Sequence, residues 1–426
     1  MNSGVFYGDA ERVLKTLPPG IVQCCVTSPP YWGLRDYSVA GQFGLEATPD
    51  EYIARMVEVF REVWRVLRDD GTVWLNLGDS YCSAGKGGEW DEGRTQKGTG
   101  RTLYSRQANR GNYSGLKPKD LCMIPARVAL ALQRNGAADP AEMERMGHLI
   151  GAITESYDTW AEVPWRIRTE VDRLQEIYVQ AHEGAWWVRS DIIWSKPNPM
   201  PESCTDRPTT AHEHVFLLSK RPRYFYDADA IREEGNPEGS HPRGKNASDI
   251  PCRNDNGREI ALANPAGRNK RTVWEIPAAP YPGAHFATFP PKLVEPCILA
   301  GTSPRACEIC GAPWKRKLAR KYYGNKFRDA DLTKGRNINQ LGGQQFYENE
   351  YEAPQTIGWQ PTCSCGHEGK GRCLVFDPFA GSGTTGEVAL KHGRDYLLIE
   401  LNRDYEKLIR GRLGLFYEEA EAVRVN

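Results

Sequence analysis

The stretch Asp377 to Thr385, DPFAGSGTT, could hold a nucleotide-like ligand. It follows a short apolar run, Leu374 to Phe376, and precedes residues with helical spacing, and three glycines in and just after it fit G-x-G-x-x-G. Glycines permit a tight turn and let a ligand approach the backbone at the start of a helix. A P-loop would place a lysine before the first hydroxyl residue, where this chain has Gly383 followed by Thr384. The P-loop class is therefore excluded.

Two ligand classes remain for this turn. A nicotinamide or flavin nucleotide would use the glycines and an acid at the end of the next strand, which Glu400 supplies for ribose hydroxyls. S-adenosylmethionine uses the same ribose acid but has no pyrophosphate. Asp377, at the end of its strand, suits the ammonium group of the methionine part. The complete DPFAGSGTT stretch favours S-adenosylmethionine, while the glycines alone leave both classes open.

A second chemical candidate is TSPPYW, Thr27 to Trp32, directly after the β-type run IVQCCV. Proline lacks a backbone donor and pushes the preceding residue towards extended geometry. The segment Ser28-Pro29-Pro30-Tyr31 is therefore stiff, with carbonyl groups that a helix or sheet cannot all use. Taken alone, the stretch favours a buried turn with aromatic packing over a catalytic motif.

Together, SPPY and DPFAGSG resemble the paired motifs of the amino-group DNA methyltransferases, which modify N4 of cytosine or N6 of adenine. The catalytic motif comes first and the cofactor motif last, an order that resembles the β group of that family. The resemblance extends to GDA at 8–10, DIIWSKPNPMPES, HEHVFLLSKRPRYFYD and HFATFPPKLVEPCILAG. It implies S-adenosylmethionine as cofactor and strand order 3-2-1-4-5-7-6 with one antiparallel strand. The cofactor-binding candidates are Asp9, Phe286, Asp377, Phe379, Gly381, Gly383, Thr384 and Glu400.

The chemistry of such a reaction accounts for SPPY. An exocyclic amino group is a weak nucleophile because its lone pair is delocalised into the ring. Acceptors for its hydrogens, such as the Ser28 side chain and the Pro29 carbonyl, favour a pyramidal nitrogen, and Pro30 helps to fix them in place. The base must leave the duplex, and Tyr31 is the family's stacking residue. Trp32 either assists or packs.

Serine at position 28 bears on the substrate. Within the family, SPP[YFW] is associated with N4 of cytosine and DPP[YFW] with N6 of adenine. The sequence therefore favours cytosine N4, with adenine N6 as the alternative. More remote alternatives are a non-catalytic DNA-binding module and an NAD-type oxidoreductase.

Four cysteines form two close pairs, C-x-x-C-G and C-x-C-G, separated by about fifty residues. Such pairs are typical of a structural zinc knuckle with four thiolate ligands, although C-x-C is tighter than usual. His367 or Cys373 could replace one ligand, and four reduced cysteines without metal is the competing interpretation. A knuckle would tether the basic run at 314–328, which suits a phosphate backbone. The predicted metal ligands are Cys307, Cys310, Cys363 and Cys365.

The elements that position these residues alternate in the βα manner. The clearest helix is predicted over 50–68, stopped by Asp69-Asp70-Gly71, with a buried strand over 72–77. We therefore expect an α/β fold of the Rossmann-like methyltransferase type: a seven-stranded, mostly parallel sheet with helices on both faces. The predicted regions are a catalytic half at 1–133 with a basic loop at 82–119, a helical insertion at 134–184, a continuation of the sheet at 185–226, a target-recognition region at 227–284, a cofactor-pocket helix at 285–301, a zinc-knuckle insertion at 302–372 and a cofactor-binding half at 373–426.

Bulk properties limit the partners. The 426 residues carry 55 basic and 55 acidic side chains, so any surface that attracts nucleic acid must be local. No signal peptide and no apolar run of about 18 residues is present, which predicts a cytoplasmic protein without a membrane partner. With the family resemblance, we expect double-stranded DNA as partner in a bacterium or phage-infected cell. A homodimer and a cognate restriction endonuclease are further candidate partners.

Overall fold

The structure is a computed structural model that describes residues 3–37, 39–82, 116–134, 185–234, 267–278, 289–319, 355–366 and 369–420. Predictions that fall elsewhere, including Phe286, His367, nearly all of the 82–119 loop and the 134–184 insertion, lie outside the described residues. Among the described residues, no helix combines the length and apolar character needed to cross a bilayer.

An open sheet forms the centre of the described chain, with strand order β1-β10-β9-β2-β3-β5-β4-β6. The first five strands in that order run parallel, and β5 is antiparallel to both of its neighbours. A separate hairpin joins β7 and β8. The strands are β1 Gly4–Tyr7, β2 Val22–Thr27, β3 Leu67–Leu77, β4 Trp187–Ser195, β5 His212–Ser219, β6 Val273–Glu275, β7 Lys315–Ala319, β8 Gln355–Gln360, β9 Leu374–Asp377 and β10 Asp395–Glu400.

This topology confirms the fold class and the expected strand order. The first seven strands from β1 to β4 follow the predicted 3-2-1-4-5-7-6 sequence, with β5 as the antiparallel member. The difference is β6, a three-residue strand that pairs in parallel with β4. The sheet formed by the described residues therefore has eight strands rather than seven.

Helices cover both faces of the sheet. The helices α1, α2 and α3 share one apolar core with the sheet, built around Leu14, Phe60 and Ile124. The helices α4, α5 and α6 share the other, around Ile298, Val388 and Ile409. The helices are α1 Ala10–Thr16, α2 Pro49–Val66, α3 Ile124–Gln133, α4 Pro291–Gly301, α5 Thr384–Lys391 and α6 Glu406–Leu413.

Helix α2 begins as its sequence predicts and ends earlier. The Thr48 hydroxyl accepts a hydrogen bond from the Glu51 N–H (3.1 Å), and Pro49 occupies the first turn, which are both standard start signals. The helix ends at Val66, before the predicted stop, because Leu67 already pairs with Val22 of β2. Sheet pairing therefore overrides the local stop signal, and β3 begins at Leu67.

Candidate active site

Four parallel strands end side by side at one edge of the sheet. The register pairs Tyr7 of β1 with Glu400 of β10, and Leu398 of β10 with Asp377 of β9. Strand β2, which ends at Thr27, pairs with the other side of β9. Ligands of open α/β sheets bind at the carboxyl ends of the strands, where order along the chain changes direction. The two motifs at opposite ends of the sequence therefore meet at this edge.

The glycine turn lies between β9 and α5. Gly383 is the N-cap of α5 with φ +82°, a left-handed conformation that glycine adopts without a Cβ penalty. The N–H of Gly381 donates to Glu400 Oε2 (2.7 Å), and the N–H of Asn402 donates to Oε1 (2.8 Å). Burial raises the pKa of Glu400 to about 7. Glu400 thus ties the turn to the end of β10, and Thr384 is buried as the first residue of α5.

The sequence suggested Asp377 as a partner for the ammonium group of the cofactor, but the Asp377 carboxylate does not face solvent in the structure. Its side chain is fully buried, and its oxygens accept hydrogen bonds from Thr27 Oγ1 (2.7 Å), Thr385 Oγ1 (2.7 Å) and the Phe379 N–H (3.0 Å). Burial raises its pKa to about 6, against the effect of these donors. Asp377 therefore fastens the residue before Ser28 to the glycine turn, a contact that the sequence did not predict.

Asp9 lies beside the end of β10. It caps α1 by accepting from the Arg12 N–H (3.0 Å), and the N–H of the preceding Gly8 donates to the Glu400 carbonyl (2.9 Å). A cavity of about 670 Å³ opens next to it. Its lining comes from α1, α2, the 33–47 loop and the residue after Glu400: Asp9, Glu11, Arg12, Lys15, Ala40, Gly41, Arg55 and Leu401.

The side chains of SPPY join a polar cluster. Ser28 Oγ lies 3.2 Å from the Tyr31 hydroxyl, and that hydroxyl donates to Glu213 Oε2 (2.6 Å). Asn76 Nδ2 lies 2.7 Å from the Tyr31 hydroxyl, 2.8 Å from Glu213 Oε2 and 3.3 Å from Ser28 Oγ. Burial, reinforced by the Glu213 carboxylate, raises the pKa of Tyr31 well above its ordinary value. The cluster holds Ser28 and Tyr31 in one arrangement at the end of β2.

Sequence reasoning missed Asn76, Glu213 and Lys196. Asn76 and Glu213 lie on β3 and β5, and Lys196, directly after β4, forms an ion pair with Glu213. The available signal was weak: Lys196 and Glu213 fall in SKPNP and HEHVF, which resemble family segments, and Asn76 is a polar residue within an apolar strand. Their proximity to Tyr31 depends on the order β2-β3-β5-β4, which the local sequence does not reveal.

The remaining residues of TSPPYW are anchored from α2 and the following loop. The Pro30 carbonyl accepts a hydrogen bond from the Tyr52 hydroxyl (3.1 Å). Trp32 is buried in the core, and its Nε1–H donates to the Glu46 carbonyl (3.1 Å). Of the two roles open to Trp32, the structure therefore favours packing.

The four cysteines of the two pairs converge, as predicted. Their Sγ atoms all lie within 4.8 Å of one another. Zinc bound tetrahedrally at about 2.3 Å would hold four sulfurs about 3.8 Å apart, so the donor set fits. Between the first two cysteines the chain makes a tight turn, in which the Gly311 N–H donates to the Cys307 carbonyl (2.9 Å). Backbone N–H groups, chiefly that of Cys310, lower the pKa of the Cys307 thiol to about 6.

This cysteine cluster lies at the opposite edge of the sheet from SPPY. Gln23, near the start of β2, donates from Nε2 to the Gly311 carbonyl (2.9 Å), and its Oε1 accepts from the Leu374 N–H at the start of β9 (2.5 Å). Arg68, near the start of β3, donates to the Cys310 carbonyl. Ser28 is five residues further along the chain than Gln23, roughly 16 Å in strand geometry. The cluster is therefore placed to brace the fold, not to take part in chemistry at Ser28.

The basic run predicted at 314–328 is only partly described. Residues 315–319 form β7, where the Arg316 guanidinium is committed to Asp227 (2.7 Å) and lies over the Trp359 ring (4.7 Å). Arg316 therefore stabilises the hairpin, and the rest of the run, from 320 onwards, lies outside the described residues.

The chain is similar in sequence to known DNA methyltransferases. The N6/N4 family described as DNA methylase matches residues 22–307 and 370–411, well over half of the chain. The type II methyltransferase M.Cfr9I of Citrobacter freundii is 33% identical over 99% of this chain and 90% of its own length. M.SmaI of Serratia marcescens, also a type II methyltransferase, is 32% identical over 96% of this chain and 90% of its own. Among solved structures, PvuII DNA methyltransferase (cytosine-N4-specific) aligns with 97% of this chain and 86% of its own at 15% identity and TM-score 0.46. The chain therefore belongs to the N6/N4 family of DNA methylases, the S-adenosylmethionine-dependent DNA methyltransferases that act on exocyclic amino groups.

Proposed function

We propose that this protein methylates N4 of cytosine at a specific site in double-stranded DNA, by base flipping and direct in-line transfer. The observation that carries the proposal is the junction of SPPY with the glycine turn through Thr27 and Asp377. Serine at position 28 supports cytosine, because SPP[YFW] is associated with that substrate in the family. The same junction supports an arrangement in which a base held at Ser28 lies next to a cofactor held at Phe379 and Gly381.

The cofactor residues have separate tasks in this proposal. When bound, S-adenosylmethionine supplies an electrophilic methyl group on sulfur. Glu400 receives the ribose hydroxyls and Asp9 faces the adenine side, next to the 670 Å³ cavity. Phe379, Gly381, Gly383 and Thr384 shape the methionine end, and Phe286 adds to it from outside the described residues.

The target residues prepare the amino group. Ser28 Oγ and the Pro29 carbonyl accept its two hydrogens and so free the nitrogen lone pair, and Tyr31 stacks on the flipped base. Transfer would form the nitrogen–carbon bond and break the carbon–sulfur bond of the cofactor, leaving S-adenosylhomocysteine, and solvent would take up the one proton that the methylated nitrogen releases. Glu213 accepts a hydrogen bond from the Tyr31 hydroxyl (2.6 Å) and forms an ion pair with Lys196, and so fixes the orientation of Tyr31 beside this centre.

Adenine N6 is the second candidate, and Glu213 favours it. Within the family a carboxylate in the position of Ser28 is associated with adenine N6, and the Glu213 carboxylate shares Tyr31 and Asn76 as neighbours with Ser28. To decide between the bases, the chain is expressed in a host without DNA methylation, and the DNA is digested to nucleosides for mass spectrometry. N4-methylcytosine is expected; N6-methyladenine without N4-methylcytosine would overturn the choice of base.

Ser28→Ala tests the catalytic assignment. Turnover should fall by about 10-fold or more, as expected when one positioned hydrogen bond is lost, while S-adenosylhomocysteine affinity stays unchanged. Ser219→Ala is the matched control, because Ser219 is buried in β5 and its hydroxyl donates to the Arg221 carbonyl (2.8 Å). Equal turnover for Ser28→Ala and wild type would remove Ser28 from the mechanism.

The cofactor class has its own test. Thermal unfolding is followed with S-adenosylhomocysteine and, separately, with NAD. Ligands that bind only the folded state raise the midpoint. S-adenosylhomocysteine should raise it and NAD should not; the reverse pattern would favour an oxidoreductase.

Structural zinc at the cysteine cluster is also part of the proposal. The four thiolates would close the coordination sphere, leaving no position for substrate. A DNA partner is proposed on the family's activity. A homodimer and a cognate endonuclease stay predictions from sequence.

A further inference from the structure

One buried side chain organises the described part of the 33–47 loop, residues 33–37 and 39–47, which follows SPPYW. Gln42 is 6% exposed. Its Nε2 donates to the Arg35 carbonyl (3.0 Å), and its Oε1 accepts from the Tyr37 N–H (2.7 Å). The Gln42 amide thus serves as hydrogen-bond partner for the backbone of Arg35 and Tyr37, in the way that a neighbouring strand would.

Arg55 of α2 holds this loop from outside. Its guanidinium donates to the carbonyls of Gln42 (3.2 Å) and Gly41 (3.1 Å) and to Glu46 Oε1 (2.6 Å). Glu46 is buried at its side chain, and its Oε2 accepts from the Gly44 N–H (2.8 Å). An arginine fork makes several directed bonds at once, so one residue fixes three points of the loop.

The loop held by Arg55 touches both motifs. The Arg55 guanidinium lies over the Phe43 ring at 3.9 Å, and the Phe43 ring meets Phe379 of the cofactor motif edge-on at 5.2 Å. On its other side the Glu46 carbonyl accepts from Trp32, the neighbour of Tyr31. Gly41 and Arg55 also line the cavity beside Asp9. The loop is therefore a wall of that cavity and a bridge to Phe379.

We propose that Arg55 and Gln42 are positioning residues for cofactor binding, which hold the 33–47 loop as the wall that closes the S-adenosylmethionine pocket. The inference rests on the proposed cofactor site. In this proposal the wall contributes to cofactor binding, whereas the transfer step uses Ser28 and Tyr31. These two residues are held from other strands, Tyr31 by Glu213 and Ser28 by Asn76. Loss of the hydrogen bonds made by Arg55 or Gln42 should therefore weaken cofactor binding more than it slows methyl transfer by the saturated enzyme.

The test compares Arg55→Met and Gln42→Leu with wild type in the full-length protein. Tritiated S-adenosylmethionine and DNA from a methylation-free strain give KM and kcat, and calorimetry gives Kd for S-adenosylhomocysteine. Both variants should raise KM and Kd by about 10-fold while kcat at saturation stays within about twofold. Partial unfolding would instead lower kcat and leave KM unchanged, and Arg55→Lys should restore only part of the affinity.

The matched control is Arg65→Met. Arg65 lies on the same helix and also donates to two backbone carbonyls, those of Leu17 (2.8 Å) and Leu14 (2.6 Å), but its own side chain does not line the cavity. It should leave KM and Kd unchanged. Equal KM values for Arg55→Met and Arg65→Met would overturn the inference. If KM rises in Arg55→Met but not in Gln42→Leu, Arg55 contacts the cofactor directly and the proposed role of the loop as a wall is wrong. Wild-type protein that fails to bind S-adenosylhomocysteine would overturn the cofactor assignment itself.

Discussion

Replacing Thr27 by valine should expose the link between the two motifs. The exchange keeps the shape of a fully buried side chain and removes only the hydroxyl that donates to Asp377. A hydrogen bond to an ionised group contributes about 1.5–3 kcal/mol. We expect Thr27→Val to lower the free energy of unfolding by that amount near pH 8, and to reduce turnover because Ser28 is the next residue.

The loss should depend on pH with a defined sign. Burial raises the pKa of Asp377 to about 6, above its unfolded value of about 3.9. An acid whose folded pKa is raised favours folding when protonated, so its contribution to stability falls as pH rises from about 4 to about 6. Valine at 27 removes a donor that favours the ionised form and so raises that pKa further. The difference from wild type should therefore be small near pH 5 and grow as pH rises above 6.

Urea denaturation at about pH 5 and about pH 8 measures the effect through the midpoint and the slope. Thr72→Val is the matched control. Thr72 is equally buried on the adjacent strand β3, and within the described part of the chain its hydroxyl donates to the weak acceptor Cys24 Sγ (3.7 Å) instead of to a carboxylate. The reasoning is refuted if Thr27→Val loses the same free energy at both pH values, or no more than Thr72→Val does near pH 8.

Three further outcomes follow from the geometry. A Cβ on Gly78 would lie 2.6 Å from the Tyr31 ring. Gly78→Ala should therefore lower kcat by about 10-fold or more, while calorimetry should show unchanged affinity for S-adenosylhomocysteine. Retained turnover would contradict the placement of Tyr31. Glu400, with a pKa of about 7, accepts ribose hydroxyls best when ionised, so S-adenosylhomocysteine affinity should fall as pH drops through 7. Glu400→Gln should bind S-adenosylhomocysteine weakly, with an affinity that does not change with pH. If the affinity of Glu400→Gln still falls as pH drops, another titrating group is responsible. Metal analysis of the wild-type protein should give one zinc ion per chain. Cys307→Ser should lose the zinc and unfold at a lower temperature, whereas the control Cys204→Ser should keep it. Wild-type protein without zinc would exclude the knuckle.

The chemistry of the two motifs could be predicted from sequence because it is local. The stiffness of Ser28-Pro29-Pro30 and the left-handed turn at Gly383 depend on residues next to them in the chain. The βα alternation likewise predicted the parallel sheet, since apolar periodicity is set by which faces are buried. The resemblance supplied the strand order, which periodicity alone does not contain.

Only the tertiary structure decided which polar groups share a partner. Asp377 serves Thr27, 350 residues away, rather than facing solvent, because β9 and β2 are neighbours in the sheet. Glu213 reaches Tyr31 for the same reason, through the order β2-β3-β5. The spacing of the cysteine pairs was enough to predict a metal site. Their position at the edge of the sheet opposite SPPY, where Gln23 contacts the adjoining Gly311, depends on where the strands begin. The sequence by itself determined the kind of chemistry; contacts between strands distant in the chain, which no local pattern encodes, decided how its residues are held.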